Sequence, residues 1–111
     1  MKEFYKPYFE DYKNLAFSDE VFVHLDNFKS LALSIKKADA KLIFLGNGAS
    51  AAISAHAAVD FTKQAKVRGI TFNEADLITC FSNDFGYENW MSEAIKSFSK
   101  KSDAVVLTSV S

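Results

Sequence analysis

Five consecutive residues, Gly46-Asn47-Gly48-Ala49-Ser50, stand where an apolar run gives way to an alanine-rich segment, and their types suit the capture of an anion. Glycine permits backbone angles and close approaches that a β-carbon forbids. A helix beginning here presents N–H groups without internal partners at the positive end of its dipole. Ser50 adds a hydroxyl at the same place, so a phosphate could be cradled without any basic side chain. The same residues also suit a plain tight turn in which Ser50 caps its own helix. Gly46, Gly48 and Ala51 further fit a G-x-G-x-x-A variant of the dinucleotide fingerprint, with Glu74 near the end of the next strand as the ribose-binding acid.

His56 and Asp60 lie four residues apart on the helix that follows, and so project from nearly the same face. An imidazole and a carboxylate at that spacing can share a divalent metal. The carboxylate can instead act as a general base, or the two can form a simple ion pair. Asn83-Asp84, just before Phe85-Gly86, reads as a turn because both side chains bond local backbone readily. If that turn lies beyond the carboxyl ends of the strands, it falls beside the glycine cradle. Thr108-Ser109-Val110-Ser111 is a hydroxyl-rich stretch after the last apolar run, able to offer hydroxyls and N–H groups to the same anion.

These residues need a frame. Residues 8–17 and 19–37 read as two helices. Val21, Leu25, Phe28, Ala32 and Ile35 form a 4-3-4-3 apolar stripe in the second, suited to packing within the subunit or against another one. Asp19 and Glu20 open that helix and Lys36 and Lys37 close it, complementing the helix dipole. Lys41 to Leu45 is a buried strand stopped by Gly46, and residues 49–65 are a helix. A second strand is expected at Val67–Phe72, a helix near 75–82, a turn at 83–86, a helix over 87–100 and a third strand at Ala104–Leu107. Strands alternating with helices imply right-handed crossovers and a parallel sheet covered on both faces. The expected fold is thus α/β, a three-layer α-β-α sandwich preceded by two N-terminal helices. Residues 1–40 are read as the leading helices and 41–111 as the sheet domain. The stop directly after a strand reads as a truncated chain, because an apolar face and an unpaired edge would be left uncovered.

The chain has 111 residues, 49% of them hydrophobic, with 13 basic and 14 acidic side chains and a net charge of −1. So even a balance offers no footprint for a nucleic-acid backbone or an anionic membrane. Cys80 is the single cysteine, so no intrachain disulfide can form; it reads as a small buried hydrophobe. No segment reaches the ~18 apolar residues of a membrane span, and the first residues lack a signal-peptide core. A cytoplasmic protein is expected.

Taken together, the residues resemble the SIS (sugar isomerase) fold, a flavodoxin-like α-β-α architecture, in its phosphoheptose isomerase branch. The resemblance runs from about Leu42 to the last residue through Gly46-Asn47-Gly48-Ala49-Ser50, His56 with Asp60, Cys80 to Tyr87, and Val105 to Ser111. It implies sugar-phosphate contacts from Asn47, Gly48, Ala49, Ser50, Asn83 and Asp84, and from Ser109, Val110 and Ser111. Val110 stands where a Thr is expected and removes a hydroxyl. His56 and Asp60 are implied as zinc ligands, with Asp60 also moving the proton, though a longer Glu is expected at that position. The implied reaction interconverts sedoheptulose 7-phosphate and an aldose heptose phosphate through an enediol. The implied enzyme is a homotetramer that uses its leading helices for assembly and needs no nucleotide, and its second half of the chemistry falls beyond Ser111. Two other readings stand beside it. One is a non-catalytic module of the same fold that binds a phosphosugar or a protein; the other is the dinucleotide-binding half of an oxidoreductase.

Overall fold

A computed structural model of the chain describes residues 1–110; Ser111, one of the expected phosphate contacts, lies outside the described residues. The run Lys41–Gly46 forms the central strand, β1, with Arg68–Thr71 (β2) on one side and Ala104–Thr108 (β3) on the other, all parallel, in the order β2-β1-β3. Leu42 through Leu45 are all buried, as a central parallel strand requires. Its register with β3 runs from Leu42 opposite Ala104 to Gly46 opposite Thr108.

Side chains alternate across the sheet, and each face finds its own helices. Helix α3 (Ala49–Asp60) buries Ser50, Ala51, Ser54 and Ala58. On this side Phe44 meets Phe61, just past the helix, with ring centroids 5.2 Å apart. Helices α4 (Ala75–Phe85) and α5 (Trp90–Phe98) cover the other face. There Ile43, Leu45, Phe72, Trp90 and Ala94 form a buried cluster, with Ile70, Leu77, Ile78 and Phe81 packed against it. The expected three-layer α/β arrangement is present. On β3, Val105 and Leu107 remain exposed.

Several local expectations shift. The first helix, α1, begins at Lys2 rather than residue 8 and runs through Pro7 to Ala16. Proline removes one hydrogen bond there, while the Phe4 and Tyr8 rings stack with centroids 6.2 Å apart across that turn. Asn83 and Asp84 do not form a turn: they lie in the last turn of α4, which continues to Phe85. The edge-on contact between Phe81 and Phe85 supports that turn, and Gly86, at φ 87°, takes the angle that ends the helix. Residues 87–89 are then a turn rather than helix, held by Asn89, whose N–H donates to Gly86 O and whose Nδ2 donates to Phe85 O. The helix expected over 49–65 changes after Asp60 into one π-turn, Phe61–Ala65, closed by left-handed Lys66. That turn places Thr62 Oγ1 where it accepts from Gly69 N and donates to Gly69 O, at 2.9 and 3.1 Å. Cys80 is exposed, not buried, because Leu77, Ile78 and Phe81 already take the core-facing positions of α4.

Two compact units are distinguished, residues 1–31 and a second beginning at Ala32. The first holds α1 and most of α2 (Asp19–Lys37); α1 buries none of its residues, and Phe4, Phe9 and Tyr12 are exposed. Of the stripe on α2, Ala32 and Ile35 are buried, whereas Leu25 is exposed.

At the amino edge of the sheet, Asp103 ties β1 to β3. Its carboxylate accepts from Lys41 N at 2.9 Å, Lys41 Nζ at 2.8 Å and Lys100 N at 2.8 Å, and its side chain is 2% exposed. Burial alone pushes this carboxyl up. The hydrogen bonds from Lys41 Nζ and the two amides, with the Lys41 charge, outweigh it and bring the pKa down to about 2.

Candidate functional site

The parallel register sets the carboxyl ends of β1 and β3 side by side, and a cleft of about 300 Å³ opens between them. Gly46, Asn47 and Ser50 line one wall; Thr108, Ser109 and Val110 line the other. Leu45, Met91 and Leu107 supply the apolar surface. The cleft sits at the carboxyl edge of the strands, where open α/β sheets place ligands.

Each glycine of the turn has a different reason to be there. A β-carbon on Gly46 would stand 2.7 Å from the backbone C and O of Ser50, so only glycine lets β1 pass this close to α3. Gly48 has φ 57° and ψ −127°, a region that side chains exclude, and beside it a β-carbon would meet nothing within 4 Å. Backbone bonding in the turn starts at Ser50, whose N–H donates to Asn47 O at 3.1 Å, followed by Ala51 N to Gly48 O at 3.1 Å. The amides of Gly48 and Ala49 precede these donors. Among the described residues, none lining the cleft carries a charge, and the sequence has no Lys or Arg between Arg68 and Lys96. Attraction for an anion here has to come from amides, hydroxyls and the helix end.

The other candidate residues lie apart from this cleft. His56 Nε2 and Asp60 Oδ2 are 3.4 Å apart, so the i,i+4 pair forms, but both side chains face solvent at 77% and 55% exposure. Asp60 is ten residues beyond Ser50, about 15 Å along the helix axis. Among the described residues, no group of three or more His, Cys, Asp or Glu gathers as a metal site would require. Asn83 and Asp84 are paired with each other, Nδ2 donating to Oδ1 at 3.0 Å, and neither lines the cleft. Glu74, the acid considered for a ribose, is engaged as the N-cap of α4, its Oε2 accepting from Leu77 N at 2.9 Å. The amides of Leu77 and then Asp76 lower its pKa.

Sequence reasoning passed over Ser54, Met91 and Leu107. Ser54 lies four residues after Ser50 and therefore below it on the sheet-facing side of α3, which was a readable hint. Met91 and Leu107 needed the register and helix packing.

The sequence comparisons bear on this turn and the helix after it. A phosphoheptose isomerase from Akkermansia muciniphila is 30% identical over a 105-residue alignment covering 78% of this chain and 56% of that protein. A phosphoheptose isomerase from Geotalea daltonii is 32% identical over 77 residues, covering 64% of this chain and 40% of its own length. The chain is similar to part of each of these phosphoheptose isomerases. It spans about half the length of these curated relatives. No family model matches the sequence, and no solved structure matches it. No helix among the described residues is long and apolar enough to cross a membrane.

Proposed function

We propose that this chain carries the phosphate-binding half of a sugar-phosphate aldose–ketose isomerase, with the substrate's phosphate held in the cleft at the ends of β1 and β3. The observation that carries the reading is the Gly46–Ser50 turn, opening on a cleft at the carboxyl edge of a parallel sheet in a chain similar to part of a phosphoheptose isomerase. Amides at Gly48 and Ala49, with Asn47, Ser50 and Ser109, are the proposed contacts for the phosphate oxygens. Val110 adds wall but no hydroxyl. Asn83 and Asp84 are proposed to meet the sugar.

Aldose–ketose exchange requires a base to lift a proton beside the carbonyl, an enediol, and return of the proton to the adjacent carbon. Asp60 is the proposed proton carrier, with His56 at 3.4 Å as its partner. Structural zinc takes four protein ligands and catalytic zinc three. His56 and Asp60 supply two, so the donors of this chain do not by themselves make a zinc site, and no step is assigned to a metal. Within one chain Asp60 stands away from the cleft, so the proposal joins the two through self-association, the cleft of one copy meeting the His56–Asp60 pair of another. Exposed Phe4, Phe9, Tyr12 and Leu25 on the leading helices suit burial in such an assembly.

Titration calorimetry with sedoheptulose 7-phosphate tests the reading. Ser50→Ala is expected to weaken binding about tenfold, as loss of a hydrogen bond to a charged group does. Equal affinity of the variant and the parent would overturn the cleft assignment. A second reading, a phosphosugar-binding module without turnover, is favoured by the separation of the cleft from Asp60; it predicts binding with no isomer exchange.

A further inference from the structure

We infer that Thr108 is an additional hydrogen-bond donor to the phosphate in this cleft, and that the buried Ser54 is the positioning residue that aims it. The inference rests on the phosphate-cleft reading above and singles out one hydroxyl of the stretch after β3, together with the buried side chain that orients it.

Thr108 is the last residue of β3, paired across the sheet with Gly46, and it lines the cleft. Its side chain turns to the α3 side, where Ser54 Oγ donates to Thr108 Oγ1 at 3.1 Å. Ser54 is 0% exposed. A hydroxyl has one proton to give and two lone pairs to accept with. Because Thr108 accepts from Ser54, its own proton remains available, and among the described residues no other acceptor is paired with it.

The surroundings make the pair meaningful. Helix α3 is built from small residues, with Ala52, Ala55, Ala57 and Ala58 around Ser54. Alanine would fill position 54 and avoid the cost of burying a hydroxyl. A serine there, bonded across to the strand that forms the opposite cleft wall, fixes which way Thr108 donates. Neither Val110 nor any charged side chain supplies that service in this cleft. The ligand chemistry that fits is a phosphate monoester, whose terminal oxygens accept several short bonds from fixed neutral donors.

The test uses the full chain, with inorganic phosphate and sedoheptulose 7-phosphate as separate probes in calorimetry. Thr108→Val keeps the shape and removes the hydroxyl; affinity for both probes is expected to fall about tenfold. Thr108→Ser restores the donor and should bind within about twofold of the parent, a rescue that a purely structural role would not produce. Ser54→Ala should weaken binding by a smaller factor and have no further effect once Thr108→Val is present, the non-additivity expected of a coupled pair. Unchanged affinity in Thr108→Val, or an equal loss in Thr108→Ser, overturns the inference while leaving the cleft reading intact. A parent chain that binds neither probe removes the cleft reading itself. If Thr108→Val proves unfolded by circular dichroism, the decision passes to Thr108→Ser and Ser54→Ala; loss of affinity in the first, or unchanged affinity in the second, overturns it.

Discussion

Replacing Asp103 by Asn should cost stability in a way that depends on pH, and the size of the effect can be worked from the geometry at the amino edge of the sheet. The carboxylate has three donors within 2.9 Å and a side chain only 2% exposed, while its partner Lys41 is 21% exposed and can reach water once released. Its pKa falls from an ordinary 3.8 to about 2 in the folded chain. At 1.36 kcal/mol per pH unit, that difference amounts to about 2 kcal/mol of stability. The sign follows from the direction. A carboxyl with a depressed folded pKa stabilises fully above its unfolded value, and that contribution fades as pH falls from about 4 toward about 2. Urea unfolding of parent and Asp103→Asn, compared at each pH, should therefore show a gap of about 2 kcal/mol at pH 7 that narrows by a similar amount by pH 2. Against a total of about 5–15 kcal/mol for a domain this size, such a gap is readily measured. A gap of equal size at pH 7 and pH 2, or none at pH 7, refutes the argument that Asp103 is held as a bonded carboxylate.

Further expectations concern the turn and the helix beside it. Gly46→Ala drives a β-carbon to 2.7 Å from Ser50 backbone and should lower thermal stability by about 1–3 kcal/mol and impair phosphate binding. Gly48→Ala meets no neighbour, so its cost, of similar size, arises from backbone angle alone; comparable melting temperatures for Gly48→Ala and the parent would contradict the φ of 57°. Asp60→Asn changes an exposed side chain, so the melting transition should barely move; on the isomerase proposal, aldose–ketose exchange should be lost. Mixing Asp60→Asn copies with Ser50→Ala copies, at a substrate level where Ser50→Ala turns over slowly, should raise turnover above that of either variant if the two features meet between subunits; mixtures no faster than the separate variants would contradict that arrangement.

Much of this fold was legible in the order of residue types. The apolar run stopped by Gly46 and the spacing of two more short runs are enough to indicate parallel strands with helical crossovers, and β1, β2 and β3 occupy those positions. The Gly46–Ser50 turn was readable as a strand-to-helix elbow, since few other arrangements need two glycines around an Asn. Asn83-Asp84 misled because both residues favour turns locally, whereas Phe81 and Phe85 packing, together with an available Gly86, carries α4 past them. The first helix, read from residue 8, starts instead at Lys2 and accepts the one bond missing at Pro7. The spacing of His56 and Asp60 correctly indicates that they meet, but spacing alone does not say which way a helix face points. The link between Ser54 and Thr108 depends on register across 54 residues of sequence, which no local pattern encodes.

The two hydrogen bonds between Thr62 and Gly69 bias where the sheet could grow. Gly69 lies on the outermost strand, and one threonine hydroxyl occupies both its N–H and its C=O. A visiting polypeptide segment would have to displace that hydroxyl before it could zip onto this flank, whereas the opposite flank at β3 carries no such stopper among the described residues. Pairing is therefore hindered at Gly69 on this selvedge, and a strand joining in parallel would meet less resistance beside β3, next to the wall that holds Thr108 and Ser109.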